Sequence, residues 1–120
     1  MSDHSREEIM AKAQYWTQEG GADFLLRLMS VYVAEADAGI VTLRRAFEQG
    51  HQTDFTRAAH TLKSSSANVG ATTFSNLAKQ IELASRQGRM AETADDVKHL
   101  EEEYSRVRAA LETVRVSLVK

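Results

Sequence analysis

The sequence contains no cysteine and no proline among its 120 residues. Without cysteine there can be no disulfide framework, no thiolate metal site and no cysteine nucleophile. Proline breaks helices and marks turns, so its absence, together with only six glycines, predicts long uninterrupted helices. The length suits a single domain over residues 1–120, because it allows one continuous core and is too short for two.

The chain also lacks a large excess of either charge, since it has 15 basic and 17 acidic residues and a formal net charge of −2. Nucleic-acid binding depends on clustered Lys and Arg, and this balance therefore argues against it. The first ten residues lack the apolar core of a signal peptide, and no apolar run reaches the length that spans a bilayer. We therefore expect a cytoplasmic protein that makes no contact with membranes.

Glycines predict where the helices end, because the residue after a helix often needs the positive φ that glycine adopts without strain. Between them the apolar residues recur every three or four positions, as on one face of a helix. The predicted helices are a short N-terminal segment ending at Gly20-Gly21, then residues 23–49, 53–69, 72–87 and 93 onward. Such helices bury one another best as an all-α, antiparallel up-and-down four-helix bundle with a short additional N-terminal helix.

Each end of the chain carries a helix signal of its own. Ser5 is followed three positions later by Glu8, which predicts a capping box at the start of the first helix. At the other end, apolar residues alternate at spacings of three and four from Val97 to Leu118, a seam typical of bundles and coiled coils. One hypothesis for the function is therefore a structural interaction module that pairs with a partner through this last helix.

One histidine has an unusual setting, inside the predicted helix 53–69. With the apolar stripe of that helix at zero, His60 lies about 140° away, Lys63 about 80° and Ser64 about 180°. His60 is thus predicted to face water, with an ammonium group one turn along and small residues around it. A neutral imidazole is a nucleophile near pH 7, and a lysine can neutralise phosphoryl oxygens. The alternative is an ordinary surface histidine.

The other histidines lack this setting and are predicted to have no function: His4, His51 and His99. No two histidines are four residues apart, and no HExxH pattern occurs. Both observations argue against a zinc site on a helix, and no metal site of any kind is predicted.

The stretch from Ala59 to Ala71 resembles the signature of histidine-containing phosphotransfer (Hpt) domains, His-x-x-Lys-Gly followed by small residues and a second glycine. His60 matches the phospho-acceptor, Lys63 the basic residue and Gly70 the glycine that closes the helix. The resemblance extends over most of the chain: residues 20–24 and 47–50 are similar to the family's second helix and its end, and residues 77–88 to its fourth. Ser64 departs from the pattern, which usually has glycine there, and a hydroxymethyl group at that position can narrow the choice of partner.

The resemblance implies a phosphoryl carrier of a two-component phosphorelay and not an independent enzyme. Nε2 of His60 would take the phosphoryl group from an aspartyl phosphate on one receiver domain and pass it to another. The implied partners are response-regulator receiver domains and a hybrid sensor kinase. We expect a monomer that binds no cofactor of its own, with Mg²⁺ held by the partner receiver.

The resemblance also implies roles for further residues. Glu82 stands where related domains carry Gln or Glu facing the histidine, and a carboxylate accepting Nδ1–H would hold the tautomer that leaves Nε2 free. The alternative for Glu82 is a solvent-facing side chain on an amphipathic helix. The predicted partner-docking residues are Arg57, Ser64, Ala67 and Gly70. Arg57 would steer an acidic receiver pocket, or it has a plain surface role.

Two related functions share His60 and differ in the phosphoryl donor. The first alternative is a detached phospho-acceptor domain that a chemotaxis-type kinase phosphorylates directly from ATP. The second is the dimerisation and acceptor domain of an ordinary sensor kinase. This second alternative is disfavoured, because its histidine is typically followed by an acidic residue and then proline, and proline is absent.

Overall fold

The computed structural model describes residues 4–118. It contains four α-helices, α1 (His4–Gln49), α2 (Gln52–Asn68), α3 (Thr72–Arg86) and α4 (Ala94–Leu118), and a 3₁₀ turn at Met90–Thr93. No strand occurs in this range, so the predicted all-α class is confirmed. No helix within residues 4–118 combines the length and the apolar character needed to cross a membrane.

Gly21 divides α1 into two parts. Its φ of 85° and ψ of 170° are not helical, and a side chain would disfavour that positive φ. We call residues 4–20 the N-terminal arm and residues 22–49 the long arm of α1. The short N-terminal helix and the second helix from about residue 23 are therefore both present, as the glycine pair predicted.

The long arm of α1 forms the four-helix bundle together with α2, α3 and α4. Each helix packs mainly against two others: α1 and α3 each contact both α2 and α4, and they stand diagonally opposite each other in the bundle. The short links at residues 50–51 and 69–71 make consecutive helices antiparallel. The predicted apolar stripes supply the core, whose fully buried side chains include Ile9, Leu43, Phe55, Leu62, Phe74, Ile81, Leu100 and Val107.

The capping box predicted at Ser5 is wrong. His4 is already helical, so Ser5 lies inside α1, where its buried hydroxyl donates to the carboxylate of Glu103 in α4. A capping residue stands at the helix boundary with non-helical dihedrals, and Ser5 meets neither condition. The contact with Glu103 instead ties the N-terminal arm to the last helix of the bundle.

The N-terminal arm also covers the end of α2. Nε1 of Trp16 donates to the carbonyl oxygen of Asn68 at 2.6 Å. Gly70, with φ of 82°, passes so close to the arm that a Cβ there would stand 2.6 Å from Cβ of Lys12 and 2.8 Å from the carbonyl oxygen of Glu8. Gly70 therefore closes α2 as predicted, but it is buried. The prediction that it belongs to a partner-docking surface is wrong, because the arm occupies that side.

Candidate functional site

The rotation of α2 is fixed by its buried apolar side chains, and this decides where His60 points. Phe55, Ala59 and Leu62 face the core with almost no exposure. His60 lies on the far side of the helix, and 53% of its side chain is exposed. Lys63 is half-buried on the flank that faces α3. The predicted outward direction of His60 is confirmed.

The imidazole of His60 meets a carboxylate from the neighbouring helix. Nδ1 of His60 lies 2.9 Å from Oε2 of Glu82 in α3. Glu82 follows the fully buried Ile81 and is itself only 4% exposed, so the solvent-facing alternative for Glu82 is wrong. Because an ionised carboxylate only accepts hydrogen bonds, Nδ1 is the donor, and in the neutral imidazole Nε2 then keeps its lone pair. The predicted contact is present, while its role in transfer stays a prediction.

Besides His60, two cationic side chains donate to the carboxylate of Glu82. Nζ of Lys63 lies 2.8 Å from Oε1, and Arg86 places Nη2 at 2.7 Å and Nε at 3.1 Å from Oε2. Burial raises the pKa of Glu82, but the hydrogen bonds from Lys63, Arg86 and His60 outweigh it and lower the pKa to about 2. The buried carboxylate is therefore ionised at neutral pH.

Short polar side chains hold α2 and α3 in register on both sides of His60. Towards the start of α2, the hydroxyl groups of Thr56 and Ser85 lie 2.6 Å apart, and Nε2 of Gln52 donates to the carbonyl oxygen of Ser85. Towards its end, the hydroxyl of Ser75 donates to the carbonyl oxygen of Lys63 at 2.8 Å. These contacts fix the spacing between the two helices, and with it the distance between His60 and Glu82.

An open cleft beside the imidazole leaves room for a reacting group. Within residues 4–118, Nε2 of His60 has no hydrogen-bond partner, and the cleft is lined by Gln52, Thr53, Thr56, Arg57, His60 and Arg86. Basic side chains thus stand on both helices around the free nitrogen. A larger groove lies between α1 and α4, but its arginines are already paired, Arg108 with Asp37 and Arg115 with Glu112.

Three of the four predicted docking residues share one surface with His60. Arg57, Ser64 and Ala67 are all exposed on the outer side of α2. Arg57 is 73% exposed and only loosely paired with Asp54, at 4.0 Å. These positions are compatible with a partner approaching His60, and the docking roles remain predictions.

Arg86 is the site residue that the sequence analysis missed. It follows Glu82 by four residues, a spacing that brings side chains together on one face of a helix and favours ion pairs. This spacing is visible in the sequence, but the prediction uses Arg86 only as part of the helix end at Gly88. A charged partner for Glu82 becomes necessary because the carboxylate is buried, and that burial is known only from the structure.

Known proteins were compared with the chain by sequence and by structure. A family model described as Hpt domain matches residues 27–110. The crystal structure of histidine-containing phosphotransfer protein B (HptB) from Pseudomonas aeruginosa PAO1 superposes with a TM-score of 0.84. That similarity covers 89% of this chain and 92% of the other at 20% sequence identity, and it bears on the fold. No curated protein sequence matches the chain.

Proposed function

The chain belongs to the Hpt domain family, whose model matches residues 27–110, and from this premise we propose that His60 is the residue that carries the phosphoryl group. The chain is a histidine phosphotransfer protein of a two-component phosphorelay. One observation supports His60 above all. Its Nδ1 donates to a buried, ionised carboxylate, while Nε2 is left free beside an open cleft whose lining includes Arg57 and Arg86.

In the proposed reaction, a receiver domain presents its aspartyl phosphate over this cleft. The lone pair of Nε2 attacks phosphorus in line with the departing oxygen. The N–P bond forms as the P–O bond breaks, and the aspartate carboxylate leaves with the bonding electrons. The imidazole thereby gains positive charge, which Glu82 stabilises through the hydrogen bond from Nδ1–H. The same steps in reverse pass the phosphoryl group to the aspartate of a second receiver.

Phosphoryl transfer depends mainly on positioning and on neutralisation of charge. On this chain the neutralising groups would be Lys63, one helical turn from His60 and half-buried beside it, and Arg57, which lines the cleft. Receiver domains and kinases of two-component relays are the partner classes of the family. Our proposal adds that this chain works as a monomeric cytoplasmic carrier without independent catalytic activity, between a hybrid sensor kinase and response-regulator receivers. It also assigns Mg²⁺ to the receiver, where the aspartyl phosphate is made and broken.

Incubation with a phosphorylated receiver domain tests this proposal. We expect label to move from the receiver to this chain and to map to His60 as an acid-labile, alkali-stable adduct. Label that comes only from a chemotaxis-type kinase with ATP, and never from a receiver, would favour the detached phospho-acceptor domain instead. A chain that takes label from neither donor would be a structural interaction module.

Replacing Lys63 by Ala is expected to slow phosphoryl transfer about tenfold, because one positioned charge supplies only part of the stabilisation. The variant also leaves Oε1 of Glu82 without its 2.8 Å partner. Single-turnover transfer rates and the lifetime of the phosphohistidine measure the effect. Lys98→Ala, at an exposed position on α4, is the matched control. If neither quantity differs from the parent, Lys63 has no part in the reaction.

A further inference from the structure

Within residues 4–118, Arg86 makes no hydrogen bond to the imidazole, yet it shares an oxygen atom with His60. Both of its hydrogen bonds, from Nε and Nη2, go to Oε2 of Glu82, the same oxygen that accepts Nδ1–H of His60. We propose that Arg86 is a positioning residue, which fixes the Glu82 carboxylate so that Oε2 selects the Nδ1–H tautomer of His60. This inference rests on the proposed role of His60 as the phosphoryl carrier.

The division of contacts between the two helices supports this role. Lys63 lies on α2 with His60, and it reaches across to Oε1 of Glu82. Arg86 lies on α3 with Glu82, one helical turn further on. The contact within α3 can therefore set the conformation of Glu82 independently of α2, whereas the contact with Lys63 depends on how the two helices pack. Arg86 also stands in the last turn of its helix, where a cation interacts favourably with the helix dipole.

The geometry of the guanidinium group explains why an arginine suits this place. Its donors are held in a rigid plane, so Nε and Nη2 together define where Oε2 lies, whereas an ammonium group would offer one freely rotating donor. Glu82 is buried while the Arg86 side chain is 58% exposed. Arg86 thus joins the buried carboxylate to the cleft that its own side chain lines.

The consequence for His60 concerns its tautomer. A neutral imidazole carries its proton on either nitrogen, and the hydrogen bond made by one nitrogen decides which form is present. Only the Nδ1–H form leaves a lone pair on Nε2. Without Arg86, the carboxylate keeps Lys63 on Oε1 but is free to turn Oε2 away from Nδ1. The Nε2–H form, which is not nucleophilic at Nε2, would then become populated.

The test compares three variants in the complete chain. Arg86→Ala removes both hydrogen bonds, and Arg86→Lys keeps the charge with a single donor group. Arg89→Ala is the matched control, because it removes the same charge from an exposed residue whose side chain hydrogen-bonds to Gln87 and to no other residue within the described range. The ¹⁵N chemical shifts of the His60 imidazole report its tautomer in the unphosphorylated protein. A ¹³C titration follows the Glu82 carboxyl, and single-turnover assays give the transfer rate.

For Arg86→Ala we expect a clear population of the Nε2–H tautomer, a pKa of Glu82 above the parent value of about 2, and transfer slowed roughly fivefold. Arg86→Lys should recover part of each change, and Arg89→Ala should match the parent. The proposal is overturned if Arg86→Ala leaves the tautomer unchanged, even with slower transfer, or if Arg89→Ala has the same effect. Failure of the proposed function is distinct, because His60→Gln would then still accept label.

Discussion

Replacing His60 by Gln is expected to abolish phosphoryl acceptance completely while the bundle stays folded. The glutamine amide has no nucleophilic lone pair comparable to that of Nε2, but it can still donate a hydrogen bond to Glu82. Because 53% of the side chain is exposed and it lies away from the core, we expect the free energy of unfolding to change by about 1 kcal/mol or less.

Two measurements on this variant belong together. Transfer from a phosphorylated receiver gives the extent of labelling, and thermal unfolding followed by circular dichroism gives the stability. His99→Gln, at an exposed position on α4, is the matched control and should accept label like the parent. A labelled His60→Gln protein would remove His60 from the reaction. A variant that melts far below the parent would show that the loss of labelling comes from unfolding.

Much of the fold was predictable because the signals that end each helix are local. Gly21, Gly50, Gly70 and Gly88 all have positive φ, and each lies at or directly after the end of a predicted helix. The apolar spacing likewise gave the face that each helix buries, from Leu25 on α1 to Val114 on α4. Both signals come from short-range sterics and from helical periodicity, and neither requires knowledge of the tertiary packing.

The sequence failed where a residue's partner is distant along the chain. Ser5 and Glu103 are 98 residues apart, and no local pattern indicates that the serine contacts α4 and does not cap its own helix. Gly70 ends α2 as predicted, yet its burial depends on how the N-terminal arm packs after the bend at Gly21. Both errors concern the placement of that arm, which the spacing of apolar residues does not specify.

In the candidate site too, local features were predictable from the sequence and contacts between different helices were not. Periodicity on α2 alone placed His60 outside the core, and the structure agrees. The contact between His60 and Glu82 joins two helices, so it was predicted only from resemblance to a known family. Arg86 had a local signal in its spacing from Glu82, but the burial of Glu82 is what makes a charged partner necessary. A buried carboxylate that is left unpaired costs several kcal/mol, and three donors offset that cost here.

Substitutions of Glu82 should have the second largest effect on transfer, and two variants separate orientation from charge. Glu82→Ala removes the acceptor for Nδ1–H and leaves Lys63 and Arg86 without their anion, and we expect transfer to fall about a hundredfold. Glu82→Gln keeps an oxygen that can accept Nδ1–H but loses the negative charge, so a loss of about tenfold is expected. Single-turnover transfer measures both, with Glu102→Gln at an exposed position as the matched control.

The lowered pKa of Glu82 also predicts that the stability of the protein depends on pH. Because the pKa of Glu82 in the folded protein is about 2, below its ordinary value of 4.5, its ion pairs stabilise the fold fully above the ordinary value. That stabilisation is lost as the pH falls towards 2. The shift corresponds to a contribution of up to about 3 kcal/mol. Glu82→Gln does not titrate, so it should be less stable than the parent at pH 7 and approach it near pH 2.

Urea unfolding at a series of pH values between 7 and 2 measures this convergence directly, because the midpoint reports stability at each pH. Glu102→Gln should stay parallel to the parent over the whole range, since Glu102 is exposed. If the difference between the parent and Glu82→Gln is constant with pH, the carboxylate is not stabilised by its three donors. If in addition both Glu82 variants transfer phosphoryl groups at the parental rate, Glu82 neither orients His60 nor stabilises the charge that develops on its imidazole.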